Sequence, residues 1–211
     1  ETFERRRGAV LTLSGYAASG GVAGAIAQTA DTVYGELAPD EQALARSIFL
    51  RLTELGEEGA QDTRRRVAPS ELVRREEESV AVKALLRMLA DARLVTTGID
   101  SVEVAHEALI REWPLLREWL EEDREGLRVH RHLTEASAEW ARLGREPGEL
   151  YRGARLAAAG EWAQEQGEVL NPLEREFLAA SRELAEREEA EREAQRQREL
   201  EAARVLAAEQ Q

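Results

Sequence analysis

The sequence predicts a mainly α-helical protein: a winged-helix domain with a short β-hairpin, followed by an all-helical domain and a long charged C-terminal helix. Three observations lead to this prediction. Apolar residues recur at spacings of three and four along most of the chain. Residues 94–105 instead alternate β-branched and polar side chains around the turn Gly98-Ile99-Asp100-Ser101. Residues 182–211 are mostly Glu, Arg, Ala and Gln, which is typical of a solvated helix.

Composition and charge limit the possible partners. A chain of 211 residues with 43% hydrophobic residues can bury the core of one or two small domains. It contains no run of 18 apolar residues, no signal segment and no cysteine. We therefore expect a cytoplasmic protein without membrane contacts, disulfides or a zinc finger. A net charge of −13 opposes nucleic acid as the main partner.

Residues 1–38 are predicted to form a helical segment. A basic cluster, Arg5-Arg6-Arg7, precedes a short helix that Thr12 or Ser14 can cap. A second helix is predicted between the Gly20-Gly21 break and Pro39. The evidence is one helix face formed by Val22, Ile26, Thr29, Val33 and Leu37. No Gly-Lys-Ser/Thr follows the glycines, so the Walker motif is absent and they indicate a helix start with close packing.

Residues 39–106 are predicted to form the winged-helix domain. Pro39-Asp40-Glu41 begins an amphipathic helix that we expect to end at Gly56. A short strand over 64–67, a second helix over 69–73 and a third helix from Ser79 follow. Residues 94–97 and 102–105 then make the hairpin. This order of helix, short strand, two helices and hairpin is that of a winged helix.

The histidines are the candidate functional residues. His106 lies where the alternating pattern of the second hairpin strand changes to helical spacing. At such a joint a side chain can leave the core and meet a ligand, and adjacent backbone N–H groups favour anions such as phosphate. The alternative is that His106 caps the local turn. His130 and His132 lie on different helix faces, so we expect surface or interface positions and no metal site.

Residues 107–181 are predicted to form a helical domain and residues 182–211 a charged helical linker. The break at residues 144–148 separates two helices, and Asn171-Pro172-Leu173-Glu174 is a capping box that begins the last one. The four tryptophans occur at helical spacing, so we expect them to pack in a core. The chain begins without Met and ends within a helical pattern, so we expect a fragment of a longer protein.

Several segments together resemble a known family. The chain is similar to the regulatory portion of bacterial STAND signalling NTPases. More narrowly, it resembles the class in which a P-loop NTPase is followed by a winged helix, a helical domain and a charged helix leading to a WD40 propeller. The resemblance is carried by residues 11–16, 20–27, 102–116, 150–156 and 173–181.

The resemblance implies a nucleotide-dependent switch. Such proteins rest with ADP clamped between the NTPase core and the winged helix, and oligomerise when ATP replaces it. A His in a Met-His-Asp motif contacts the ADP β-phosphate in related proteins, and Ala105-His106-Glu107 matches that place, with Glu107 for Asp. Gly21-Val22-Ala23 resembles an adenine-flanking Gly-Leu-Pro, with Ala23 for Pro. The resemblance thus implies that His106, Gly21 and Val22 bind ADP or ATP.

The implied partners belong to the same chain: an upstream NTPase core and a downstream repeat domain, with a homo-oligomer on activation. The 211 residues lack a phosphate-binding loop, so we expect this region not to be an enzyme, whereas the full-length parent is expected to be an ATPase. No nucleotide is expected in the isolated fragment.

Two alternatives remain open from the residues alone. One is a winged-helix DNA-binding transcriptional regulator, whose recognition helix over 79–92 carries Lys83 and Arg87 but also Asp91. The other is a passive helical scaffold, in which loss of His106 changes nothing.

Overall fold

A computed structural model describes residues 21–57 and 60–209, with side chains at 24–57 and 60–205. Within these residues the protein is mainly helical, with eight α-helices and two small antiparallel hairpins. This confirms the mainly α prediction. The cluster Arg5-Arg6-Arg7 and the short helix predicted at Thr12 or Ser14 lie outside the described residues.

The elements follow one another in this order. The helices are α1 Gly21–Glu36, α2 Pro39–Arg51, α3 Ser79–Asp91, α4 Glu107–Glu112, α5 Pro114–Glu122, α6 Arg124–Arg142, α7 Gly153–Gln166 and α8 Pro172–Glu209. The strands are β1 Thr53–Glu54, β2 Thr63–Arg64, β3 Val95–Thr97 and β4 Val102–Val104. Short 3-10 helices span Pro69–Leu72, Glu76–Glu78, Pro147–Glu149 and Gly167–Val169. The described residues divide into two compact units, unit 1 up to residue 128 and unit 2 from residue 129, and the boundary falls within α6.

Unit 1 contains both hairpins. β1 pairs with β2 through Thr53 and Arg64, and β3 pairs with β4 through Val95 and Val104. Val67 adds a bridge to Val102, with N–H···O distances of 2.8 and 2.9 Å between the two backbones. The predicted hairpin after α3 is therefore confirmed. Its inward residues join one apolar core with α1 to α5.

Two helix boundaries differ from the prediction. α2 ends at Arg51 and not at Gly56, because Thr53 and Glu54 leave the helix to pair with β2. The helix expected after His106 is interrupted at Trp113, which has an extended backbone (φ −81°, ψ 108°). Pro114 explains this break, since a proline lacks the N–H and disfavours helical geometry in the residue before it.

Unit 2 has its own core, formed mainly by Leu133, Trp140, Ala159, Leu170, Phe177 and Leu178. The predicted capping box is confirmed: Asn171 N–H donates to Glu174 Oε2 (2.8 Å) and Glu174 N–H donates to Asn171 Oδ1 (2.9 Å). α8 continues from this cap for 38 residues, so the last domain helix and the predicted charged linker are one helix. Residues 189–205 of α8 are exposed on every side.

No helix in the described parts of the chain combines the length and the apolar character that crossing a membrane requires.

Candidate functional site

His106 lies at the joint between β4 and α4. β4 ends at Val104, Ala105 N–H donates to the Leu94 carbonyl (3.0 Å), and α4 begins at Glu107. His106 has an extended backbone (φ −138°, ψ 127°) and an exposed side chain. The predicted strand-to-helix joint is therefore confirmed.

The His106 ring forms no capping hydrogen bond within the part of the chain that the structure describes, although His106 occupies the N-cap position of α4. The alternative interpretation of a capping side chain is therefore wrong. α4 has only six residues, so its aligned peptide dipoles are few and contribute little to anion binding. The imidazole itself is the group available to a ligand at this joint.

The acidic residues that flank His106 are paired with arginines. Glu103 accepts hydrogen bonds from Arg66 Nη2 (3.0 Å) and Nε (3.3 Å), and Glu107 accepts one from Arg111 Nη2 (3.2 Å). The Arg66 hydrogen bond lowers the pKa of Glu103, which desolvation by itself would raise. The negative charges next to His106 in sequence are thus balanced, which reduces repulsion of an anion.

The far end of α4 is anchored by Trp113. This side chain is 0% exposed, and its indole Nε1–H donates to Asp31 Oδ1 on α1 (2.6 Å). Its ring also meets Phe49 and Trp119 edge-on, with centroids 5.1 and 5.3 Å away. The joint that carries His106 is therefore held by the hairpin on one side and by Trp113 on the other.

Gly21 and Val22 are the first residues of α1. α1 packs against α4 in unit 1, so the helix that begins with these two residues contacts the helix that follows His106. The predicted apolar face is confirmed at Ile26, Val33 and Leu37, which pack in the core of unit 1, whereas Thr29 is exposed. Ala27 and Ala30 are buried beside this face. Small side chains at these two positions allow the neighbouring helix to approach closely.

Asp31 was not predicted as part of this site. Its position continues the buried stripe of Ala27 and Ala30 towards Tyr34, at the spacing i, i+3, i+4, i+7. An acid at a position of this apolar stripe is the sequence signal for a hydrogen-bond partner in the core. The sequence did not show which partner, because Trp113 is 82 residues away.

A second polar cluster lies inside unit 2. The prediction of a surface or interface position was wrong for His130, which is 8% exposed and stacks on Trp162 with ring centroids 4.5 Å apart. His130 Nε2 lies 3.3 Å from Glu174 Oε2, and Thr134 Oγ1 donates to Glu174 Oε1 (2.7 Å). His130 is buried because it lies one turn before Thr134 on the inward face of α6. His132, two residues on, is exposed as predicted.

The tryptophans pack in the cores, as predicted. Trp113, Trp119 and Trp140 are between 0% and 6% exposed, and Trp162 packs half-buried against the core of unit 2.

A groove of about 450 Å³ lies between α6 and α7 in unit 2. His132 and Glu135 of α6 and Arg155 of α7 line it, with Tyr151 at one end. The Tyr151 hydroxyl donates to the His132 carbonyl (2.9 Å), and burial raises the pKa of this phenol. Among the described residues no group of three or more His, Cys, Asp or Glu side chains is arranged to hold a metal ion.

The family model described as Novel STAND NTPase 1 matches residues 1–148. This range includes Gly21, Val22 and His106. A search of curated proteins and a search of solved structures found no match.

Proposed function

Because the chain belongs to the novel STAND NTPase 1 family, we propose that it is the regulatory region of a STAND-type signalling NTPase. In this proposal residues 39–106 form a winged-helix element that closes over ADP held by an NTPase core elsewhere in the same polypeptide. Exchange of ADP for ATP releases the element and permits oligomerisation. The region described here contributes no catalytic group of its own, and the parent protein is the ATPase.

The order of elements supports the winged-helix assignment. α2 is followed by the β1–β2 hairpin, two short 3-10 helices, α3 and the β3–β4 hairpin. The Val67–Val102 bridge adds a third strand position to this hairpin, as a wing requires. α8 would then be the rigid connection to a WD40-type repeat domain; a helix of 38 residues spans about 57 Å.

The observation that carries the nucleotide-sensing proposal is the exposed His106 ring on an anchored joint. An imidazole N–H can donate to a phosphate oxygen, and a hydrogen bond to a charged group contributes about 1.5–3 kcal/mol. That free energy shifts a closed–open equilibrium by about ten-fold or more. No capping hydrogen bond has to break before the ring binds phosphate, because His106 makes none at the start of α4.

The charge distribution does not favour the DNA-binding alternative. The exposed face of α3 presents Lys83 and Arg87, but Asp91 follows on the same helix and Glu76–Glu78 precede it. Non-specific DNA affinity depends on clustered cations that release counterions, and the chain carries a net charge of −13.

The proposal is tested by ADP release from the full-length protein. We expect the His106→Ala variant to release a fluorescent ADP analogue about ten-fold faster than the wild type, because one charge-assisted hydrogen bond is lost. The matched control is His132→Ala, which removes another exposed histidine from unit 2. Light scattering should show more spontaneous oligomer for the His106 variant alone. Equal release rates for all three proteins would contradict nucleotide sensing by His106.

A further inference from the structure

We propose that the hydrogen bond between Asp31 and Trp113 positions His106 for the phosphate, so that Trp113 and Asp31 act as positioning residues. This inference rests on the proposed function. It adds that retention of ADP depends on a contact that touches no nucleotide.

The bond joins two helices at a defined point. The Trp113 indole Nε1–H donates to Asp31 Oδ1 at 2.6 Å, the length of a strong charge-assisted bond. Trp113 is fully buried between Phe49, Trp119 and Tyr34, so its ring has little freedom to move. The orientation of the indole therefore fixes where α4 ends relative to α1.

α4 transmits this position to His106. The helix has six residues, about 9 Å in length, and a helix this short is not stable without tertiary contacts. Its first residue follows His106 and its last precedes Trp113. A shift of the Trp113 end therefore moves or frays the whole helix, and a phosphate hydrogen bond weakens steeply with changes in distance and angle.

The Asp31–Trp113 hydrogen bond also involves the helix that carries the other predicted nucleotide-binding residues, Gly21 and Val22. Asp31 lies on α1, which begins with Gly21 and Val22. In the proposed closed state these residues flank the adenine and His106 contacts the β-phosphate. Asp31 and Trp113 thus join the helix that begins with the predicted adenine contacts to the helix that follows His106.

The chain offers variants that remove the bond without opening the core. The Asp31 side chain is exposed, so Asp31→Ala deletes the acceptor and leaves the buried aromatic cluster in place. Glu36→Ala is the matched control, since it removes another exposed carboxylate from α1. Asp31→Asn retains an acceptor oxygen for the Trp113 N–H, so this variant should keep most of the wild-type ADP affinity.

The readout compares ADP with AMP in the full-length protein. AMP lacks the β-phosphate, so misplacement of His106 should leave its affinity unchanged. We expect Asp31→Ala to weaken ADP about five- to ten-fold, as loss of a phosphate hydrogen bond would. Trp113→Phe, which retains an aromatic ring but no donor, should behave in the same way. In a His106→Ala background Asp31→Ala should have no further effect on ADP.

The outcomes separate this inference from the proposed function. If His106→Ala weakens ADP but Asp31→Ala and Trp113→Phe do not, the positioning role is overturned and nucleotide sensing stands. Equal weakening of ADP and AMP by Asp31→Ala would overturn the positioning role, because a general loss of structure explains it. If His106→Ala also leaves ADP affinity unchanged, both proposals fall.

Discussion

Two regions of the molecule use histidine in opposite ways. In unit 1, His106 stands exposed at the β4–α4 joint and makes no capping hydrogen bond. In unit 2, His130 is buried, stacks on Trp162 and lies 3.3 Å from the Glu174 carboxylate. A buried polar group requires hydrogen-bond partners within the protein, whereas an exposed one is hydrated and remains free to bind a ligand. The difference separates a side chain that holds the fold from one that is available for binding.

The largest effect should come from the acid at the centre of the buried cluster. Glu174 is 0% exposed and accepts hydrogen bonds from Thr134 and the Asn171 N–H. Glu174→Ala leaves these donors without an acceptor, so we expect the free energy of unfolding to fall by about 3 kcal/mol. Glu176→Ala, which breaks an exposed pair with Arg145, should cost less than about 1 kcal/mol. Urea unfolding measures the loss of unfolding free energy in both variants. Equal losses would contradict a structural role for the buried Glu174 cluster.

The two histidines should give opposite results. His130→Ala removes a buried hydrogen bond and a stacked ring, so we expect a loss of about 1–2 kcal/mol in the free energy of unfolding. His106→Ala should change stability by less than about 0.5 kcal/mol, because its ring is exposed. Thermal unfolding of both variants measures this. A destabilised His106 variant would mean that this ring supports the fold, contrary to the comparison.

An ion pair in unit 1 should give a smaller, pH-dependent effect. Burial alone would raise the pKa of Asp62, but hydrogen bonds from Arg124 and the Gly56 N–H, with the Arg124 charge, lower it overall. The pair therefore stabilises the fold above about pH 4, and this contribution is lost as the pH falls through the folded-state pKa of Asp62.

The Asp62→Asn variant isolates that contribution. It should be less stable than the wild type by about 1 kcal/mol at pH 7, after solvent screening, and the difference should disappear towards pH 2. Denaturant unfolding across this pH range measures it, with Glu139→Gln at an exposed pair as the control. A difference that is independent of pH would show that the Asp62 charge is not involved.

The smallest effect is expected on the exposed part of α8. Arg187 pairs with Glu183 one turn earlier, and both side chains are more than half exposed. Such pairs contribute about 0.3–0.5 kcal/mol, so Arg187→Ala should hardly alter the unfolding midpoint. A loss above about 1 kcal/mol in the free energy of unfolding would mean that contacts outside α8 stabilise this part of the helix.

Local chemistry made part of the fold predictable. The hairpin, the start of α3 and the Asn171–Glu174 capping box follow from signals within a few residues of each other. The joint at His106 was predictable for the same reason. Pro114 also carried a local signal for the break at Trp113, which the periodicity of the flanking apolar residues outweighed in the prediction.

The missed contacts are those between distant parts of the chain. Trp113 and Asp31 are 82 residues apart in sequence, and His130 and Glu174 are 44 apart. Spacing within one helix shows which face is apolar, but not which polar side chain on another helix will meet it. The burial of His130 and the role of Asp31 therefore required the tertiary structure.

An experimental structure of the full-length protein with ADP bound would show directly whether His106 contacts the nucleotide. We expect a ring nitrogen of His106 to lie about 3 Å from a β-phosphate oxygen, with α4 still anchored to Asp31 through Trp113. A His106 ring that faces solvent or packs on another protein surface, with the β-phosphate held by other groups, would contradict this expectation.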